Sequence, residues 1–352
     1  MMRKLYFLLP GTTGKFGGGG LWAELKIIEL ARQMCPTQIV TYRQRESGYL
    51  FLTDVLKQKN LNLDNCIFVV SWGFDVPELV AKLKNCHLIY HAHSAGYRFS
   101  LPPDIPIISV SRNTMGYWGQ KSPNALIYYL PNRIGDEFCN LGKSRDIDIL
   151  VQVRKSSQYL LQQLVPALRA SRCRVELLDG YVEDLAGLFN RAKVYLYDSA
   201  EYWAVNGVTE GFGLPPLEAL ACGCQVFSSV NSALADYLDP GFNCHKIAGY
   251  SLEYDVQRIL AVVDSPNPLE LPDSFFAEYR AENIMKRLQV ILTEINAFFD
   301  RPQALKSDIE RLSFWRVRKL WLKRSLTKVQ KKFNLNVREV PRFIGGMNRT
   351  YD

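Results

Sequence analysis

The sequence predicts an α/β protein made of two parallel-sheet halves of similar size joined by a hinge. Three observations predict it. Strand-like and helix-like patterns alternate along the chain, the order that parallel strands with crossover helices require. The strand-like runs fall into two series, one from Leu5 to Leu130 and one from Ile147 to Ser228. Between them, Asn132 to Asp146 is polar, contains glycine and follows Pro131, which suits a hinge.

The elements follow in order. Leu5–Leu9 is a continuous apolar run and reads as a buried strand. Gly11–Gly20 is a glycine-rich loop, and Leu21–Met34 has the spacing of an amphipathic helix. Thr37–Thr41 and Cys66–Ser71 read as strands, Pro77–Lys84 as a helix, and Leu88–His91, Ile107–Val110 and Leu126–Leu130 as further strands. The second series runs from a strand at Ile147–Val153 through a helix at Ser157–Leu168 to Arg174–Leu178, Asp184–Asn190 and Val194–Tyr197. A helix from Pro215 and a strand at Gln225–Ser228 follow.

At 352 residues the chain is long enough for two ordinary domains. Its apolar fraction of 47% and charged fraction of 22% are those of a globular protein. No apolar run approaches the roughly 18 residues of a membrane span. The N-terminal basic residues and short apolar run lack a cleavage pattern, so a signal peptide is not expected. Eight scattered cysteines without paired CxxC spacing fit a reduced, cytoplasmic setting. Cys222 and Cys224 form a CxC without a second pair, which favours packing over zinc.

Residues 210–218 read Glu-Gly-Phe-Gly-Leu-Pro-Pro-Leu-Glu and run into Ala-Leu-Ala-Cys-Gly-Cys-Gln-Val. Two carboxylates thus flank a glycine turn and a helix start. Pro215 and Pro216 suit a first helical turn, where N–H groups have no intrahelical partner. Glu218 is expected in that turn, near the positive end of the helix dipole, and Glu210 at a strand end before it. Free N–H groups at such a helix start attract phosphate.

This frame resembles the nucleotide-sugar site of retaining glycosyltransferases of the GT-B fold, the family called glycosyltransferase family 4 or group 1. The family pattern is Glu, seven residues, Glu, within Glu-Gly-Phe-Gly-Leu-Pro, followed by a Glu-Ala-Met-Ala-Cys-Gly-like helix. The chain departs from it at Gln225, where the family usually has proline. Val110-Ser111-Arg112, Leu130-Pro131-Asn132 and Gly180–Ala192 are similar to further family segments, so the resemblance spans about residues 5 to 300. It implies two Rossmann-like domains facing a central cleft, an acceptor domain over 1–135 and a donor domain over 146–300; residues 301–352 lie beyond it and read from their charge and spacing as a basic helical tail.

The resemblance also implies roles. Glu210 binds hydroxyls of the donor sugar and Glu218 the ribose hydroxyls, with Gly211, Phe212, Gly213 and Leu214 between them. Arg154, with Lys155 beside it, binds the pyrophosphate, whose developing charge needs fixed cations and no metal ion. Gly17, Gly18 and Gly19 belong to a loop that closes over the donor phosphates. That loop matches neither a P-loop nor Gly-x-Gly-x-x-Gly, and Thr41-Tyr42-Arg43 stands where a dinucleotide site needs an acid. His93, closer to the family position than His91, faces the reaction centre; two histidines alone make no metal site. Asp146-Ile147-Asp148 precedes its strand and is discounted as a metal motif. The expected activity is transfer of a sugar from a nucleotide-sugar to a glycan or lipid-linked acceptor in cell-surface polysaccharide or glycolipid synthesis. No cofactor and no nucleic-acid partner are expected.

Residues 311–342 carry eleven Lys or Arg against the single acid Glu339, more than the net charge of +8 of the whole chain. Leu312, Trp315, Leu322, Leu326, Val329 and Phe333 follow helical spacing. A basic helix with Phe314, Trp315 and Trp321 suits the surface of an anionic membrane, here the inner face, with 311–333 as the contact. The rival readings are an inactive GT-B binding protein acting through this tail, and a metal-free phosphorylase or epimerase on the same fold.

Overall fold

A computed structural model of the chain describes residues 2–58, 62–71, 73–265, 270–301 and 308–332. Phe333, Glu339 and the rest of the tail beyond residue 332, as well as 302–307, lie outside the described residues.

The apolar runs of the first half form a seven-stranded parallel sheet. Its strands are β1 (Lys4–Leu9), β2 (Thr37–Thr41), β3 (Leu50–Phe51), β4 (Cys66–Val70), β5 (His87–Ala92), β6 (Ile107–Ser109) and β7 (Ile127–Tyr129). Their order is β3-β2-β1-β4-β5-β6-β7. The helices between them are α1 (Gly19–Arg32), α2 (Leu52–Leu56), α3 (Val76–Lys82) and α4 (Arg112–Lys121). The Ser111 side chain accepts from the Thr114 N–H and caps α4, an element that the sequence reading did not assign.

The second half forms a five-stranded parallel sheet. It contains β8 (Ile147–Gln152), β9 (Val175–Leu178), β10 (Ala192–Tyr197), β11 (Gln225–Ser228) and β12 (His245–Lys246), in the order β12-β11-β10-β8-β9. The helix expected at Ser157–Leu168 is a π-helical turn at Leu160–Leu164 running into α5 (Val165–Ala170). Pro166 has no N–H and its ring crowds the preceding turn, which a wider turn relieves. Then come α6 (Leu185–Arg191), α7 (Ala200–Asn206), α8 (Leu214–Ala221), α9 (Leu252–Val263), α10 (Asp273–Phe276) and α11 (Ala281–Phe299).

Each sheet has apolar clusters on both faces. Leu5, Phe7, Ile67 and Ile89 pack with α1 on one face of the first sheet, and Tyr6, Leu8, Phe68 and Trp118 fill the other. The first cluster also holds Ile284, Leu288, Ile291 and Ile295 of α11. The sequence division at 146–300 is thereby crossed: α11 follows the second sheet in the chain yet buries its apolar stripe on the first. Such a return helix ties the two sheets together by burial, the dominant favourable contribution to folding.

The described part of the tail, residues 308–332, belongs to a separate unit. Within it, α12 spans Phe314–Lys332 and places Trp315, Leu322, Leu326 and Val329 along one stripe of a basic helix. Among the described residues, no helix is long and apolar enough to cross a membrane.

Candidate functional site

The strand orders say where a ligand belongs. In open parallel sheets a ligand sits outside the carboxyl ends of the strands, where the strand order reverses. The first sheet reverses between β1 and β4, and the loop leaving β1 is the glycine-rich segment. The second sheet reverses between β8 and β10, whose trailing segments carry Arg154-Lys155 and, after α7, Glu210. His93 follows β5 directly.

These segments meet. A Cβ built on Gly211 would stand 1.4 Å from the His93 carbonyl oxygen, so the donor motif lies against the His93 backbone with no side chain between. The Thr209 N–H donates to the Ala95 carbonyl at 3.0 Å, and the Thr114 hydroxyl to the Gly211 carbonyl at 3.4 Å. A Cβ on Gly18 would lie 3.8 Å from Arg154 Nη2, so the glycine loop reaches the arginine of the other domain. Gly17 and Gly18 precede α1 and Gly19 is its first residue, two earlier than the sequence reading starts that helix. Glu46 fastens the loop: its carboxylate accepts from the Thr12 N–H at 2.9 Å and the Thr13 hydroxyl at 3.0 Å. Nothing in the sequence pairs Glu46 with that loop.

Glu210 is buried, and its Oε2 accepts from the Tyr197 hydroxyl at 2.6 Å and the Trp203 indole N–H at 2.7 Å. Lys155 stands with its Nζ 3.8 Å from Glu210 Oε1 and 4.2 Å from the centre of the Trp203 ring. Burial lowers the Lys155 pKa and the Arg154 charge adds to that, while Glu210 opposes both. Lys155 holds a left-handed backbone at φ 70°, a strained conformation of the sort that collects at binding sites. Arg154 is exposed and, among the described residues, forms no ion pair. The two adjacent cations therefore differ: Lys155 turns in to Glu210, and Arg154 stays free beside Gly18.

Glu218 departs from its expected place. Gly213, left-handed at φ 79°, precedes α8, which begins at Leu214, so Glu218 lies in the second turn instead of the first. Pro215 and Pro216 contribute no N–H, so few backbone donors remain at this helix start. The carboxylate itself is the prominent group. It is buried, accepts no protein hydrogen bond among the described residues, and has its pKa raised by burial to about 7. Lys26 on α1 opposes that rise and Glu137 adds to it. Phe212, between the two acids, packs with Tyr237 and Tyr279.

A further cluster surrounds His93. Oε2 of Glu24, on α1, lies 2.6 Å from His91 Nδ1 and 2.7 Å from His93 Nε2. Among the described residues these three side chains form the group whose donor atoms come near enough together to hold a metal ion. The spacings are those of hydrogen bonds: two ligands on one zinc ion at ~2.1 Å stand about 3.4 Å apart. Glu24 was missed in the sequence, although an acid within the apolar face of Leu21, Ala23, Ile27 and Ile28 is itself a signal.

Two motifs set aside in the sequence have structural duties. Asp146 pairs with Arg174 and Arg191, and Asp148 with Lys193. All eight cysteines are free. Cys224 is buried with its thiol pushed up to about 12 by burial, away from the thiolate that zinc requires.

Residues 175–271 match the family "Glycosyl transferases group 1". The serotype-specific mannosyltransferase WbdA of Escherichia coli is 25% identical over 157 residues, covering 38% of this chain and 18% of WbdA. Another match to a protein of that name is 32% identical over 81 residues, covering 22% of this chain and 8% of the relative. The chain thus spans less than a fifth of the length of these relatives. Among solved structures, sucrose-phosphate synthase from Thermosynechococcus elongatus aligns with TM-score 0.60 at 14% identity, covering 84% of this chain and 99% of that one. A glycosyltransferase from Rickettsia africae aligns with TM-score 0.61 at 10% identity over 84% of this chain and 98% of its own. Anabaena HepE in complex with UDP aligns with TM-score 0.56 at 14% identity, covering 83% of this chain and 100% of that one. These structures share the fold, two parallel-sheet α/β domains of the GT-B type. On that scaffold, residues 175–271 of the second domain, which include Glu210 and Glu218, are the part similar to the group 1 glycosyl transferases.

Proposed function

We propose that the protein transfers a sugar, with retention at the anomeric carbon, from a nucleotide-sugar onto a glycan or lipid-linked acceptor, as a step in polysaccharide or glycolipid synthesis. The observation that carries this reading is Glu218: a buried carboxylate without a protein partner among the described residues, beside the strand-order reversal of a domain similar to group 1. Such a group holds a ligand that donates two hydroxyls, which a ribose does. Binding the ligand then offsets the cost of keeping the charge buried.

The remaining groups suit the rest of the donor. Arg154, free beside Gly18, is placed for the pyrophosphate, where a fixed cation stabilises the negative charge that grows as the nucleotide leaves. Glu210 Oε2 is already engaged, so Oε1, with Lys155 near it, is the oxygen left for a sugar hydroxyl. His93 sits against Gly211 on the opposite wall. The WbdA relatives are named mannosyltransferases and a HepE structure holds UDP and glucose, so GDP-mannose and UDP-glucose are the first donors to try. The mechanism uses no essential metal ion and no cofactor. Arg154→Ala should lower turnover by about 100-fold. Its unfolding midpoint should stay unchanged, because the side chain is exposed and unpaired. Wild-type turnover should survive EDTA, and a strict requirement for Mg²⁺ or Mn²⁺ would contradict the metal-free reading.

The basic tail gives the proposal its setting. Residues 311–333 bring the enzyme to an anionic membrane surface, where each cation near the headgroups contributes about 1 kcal/mol before screening. The full chain should sediment with anionic but not neutral vesicles, less so at high salt, and not at all once cut after about residue 305. Vesicle binding that survives the cut would remove the tail from the account.

A further inference from the structure

Among the buried charged groups that the sugar-transfer reading leaves unused, Glu24 is the one that touches the histidine facing the cleft. We infer that Glu24 is a positioning residue. It fixes His93 in the tautomer protonated on Nε2, so that Nδ1 accepts a hydrogen bond from a hydroxyl of the bound sugar. The inference rests on that reading for its ligand and on the Glu24 contacts for its geometry.

Glu24 is fully buried in the apolar face of α1 among Leu21, Ala23, Ile27 and Ile28. Burial raises its pKa, while the hydrogen bonds from the two rings favour the carboxylate, whose Oε1 is buried without a partner among the described residues. A carboxylate acts only as an acceptor. Its Oε2 serves His91 Nδ1 at 2.6 Å and His93 Nε2 at 2.7 Å. One charged oxygen can serve two rings only if each presents an N–H to it. That places a proton on Nδ1 of His91 and on Nε2 of His93.

The far sides of the rings differ. His91 Nε2 is buried without a hydrogen-bond partner among the described residues, in a small apolar cavity lined by Phe7, Ile27, Ile89 and Leu288. A proton there would have no acceptor. His93 is 15% exposed, and its Nδ1 has no protein partner among the described residues. Burial lowers the His93 pKa, His91 lowers it further and Glu24 opposes. A neutral ring with Nε2–H leaves one lone pair, on Nδ1, at the outer side. His91, its ring centre 4.3 Å from that of His93, donates to the same Glu24 oxygen from its own side. The match is to a ligand that donates a hydrogen bond, hence to a hydroxyl and not to a phosphate oxygen.

The test uses the full chain labelled with ¹⁵N. Its four histidines give four ring patterns in a long-range ¹H–¹⁵N correlation spectrum, assigned by substituting His87 and His245. At pH 7.5, without any ligand, His93 should be protonated on Nε2 and bare on Nδ1. Glu24→Gln should change that pattern and lower turnover about tenfold or more, while nucleoside diphosphate affinity moves less than about twofold. His91→Gln leaves the Glu24–His93 bond in place and should keep the His93 pattern. A His93 ring protonated on Nδ1 or doubly protonated in the wild type overturns the inference, even if Glu24→Gln does not fold. So does an unchanged His93 pattern in a folded Glu24→Gln protein. If the patterns come out as expected but no nucleotide-sugar is consumed, the sugar-transfer reading fails and the tautomer assignment stands.

Discussion

Glu218→Gln should stabilise the folded protein at pH 8 while weakening its grip on a nucleotide. The sign follows from burial. The folded pKa of Glu218 is raised from 4.5 to about 7, so the folded chain holds this proton more tightly than the unfolded one. Its favourable contribution is complete below the unfolded value and is lost as pH rises through 7. From pH 4.5 to pH 8 the loss amounts to about 3 kcal/mol, less whatever a buried glutamine amide costs in its place. Urea unfolding at pH 5 and pH 8 measures it: the variant should gain on the wild type only at the higher pH. Calorimetry should show nucleoside diphosphate affinity about tenfold to 100-fold weaker, since a charge-assisted pair of hydrogen bonds is gone. In the wild type, affinity should fall as pH drops below 7 and the carboxylate takes up a proton. Equal stability at both pH values would mean that Glu218 is not desolvated as described. Unchanged affinity would mean that it does not touch the nucleotide.

Gly211→Ala should be the most damaging of the small substitutions. Its added methyl would fall 1.4 Å from the His93 carbonyl oxygen and 2.5 Å from the carbon, both backbone atoms that no side-chain rotation can move. The two walls of the cleft must part, and the Thr209–Ala95 and Thr114–Gly211 hydrogen bonds part with them. A loss of about 4 kcal/mol or more in unfolding free energy is expected, in the range reserved for backbone clashes and broken networks. Turnover should fall below detection. Gly19→Ala is the control: nothing lies within 4 Å of its added methyl, so its unfolding midpoint should match the wild type. Denaturation followed by circular dichroism separates the two. A Gly211→Ala protein as stable as the wild type would show that the walls are not in contact.

The sequence made the strands legible where a continuous apolar run has no other use, as at Leu5–Leu9 and Ile147–Val153. Two-residue strands such as β3 and β12 have no period to read. The apolar spacing of Ile284, Leu288, Ile291 and Ile295 is visible in the sequence, but a stripe does not name its partner, and α11 turned out to serve the first sheet. The donor motif was legible because its glycines, prolines and acids are close in sequence. Even so, the helix starts one residue earlier than expected and carries Glu218 into its second turn. Glu24, Trp203 and Glu46 were not legible as site residues. Each acts across 7 to 69 residues of chain, through contacts that only the folded sheets create.

The most direct test of the central claim is mass-detected turnover of a panel of nucleotide-sugars, with GDP-mannose and UDP-glucose first, by the wild-type chain and by Arg154→Ala. The account predicts that the wild type releases a nucleoside diphosphate from at least one donor, in the presence of EDTA, and that Arg154→Ala releases it about 100-fold more slowly. Failure of the wild type to consume any donor of the panel, with or without metal, while remaining folded would contradict it.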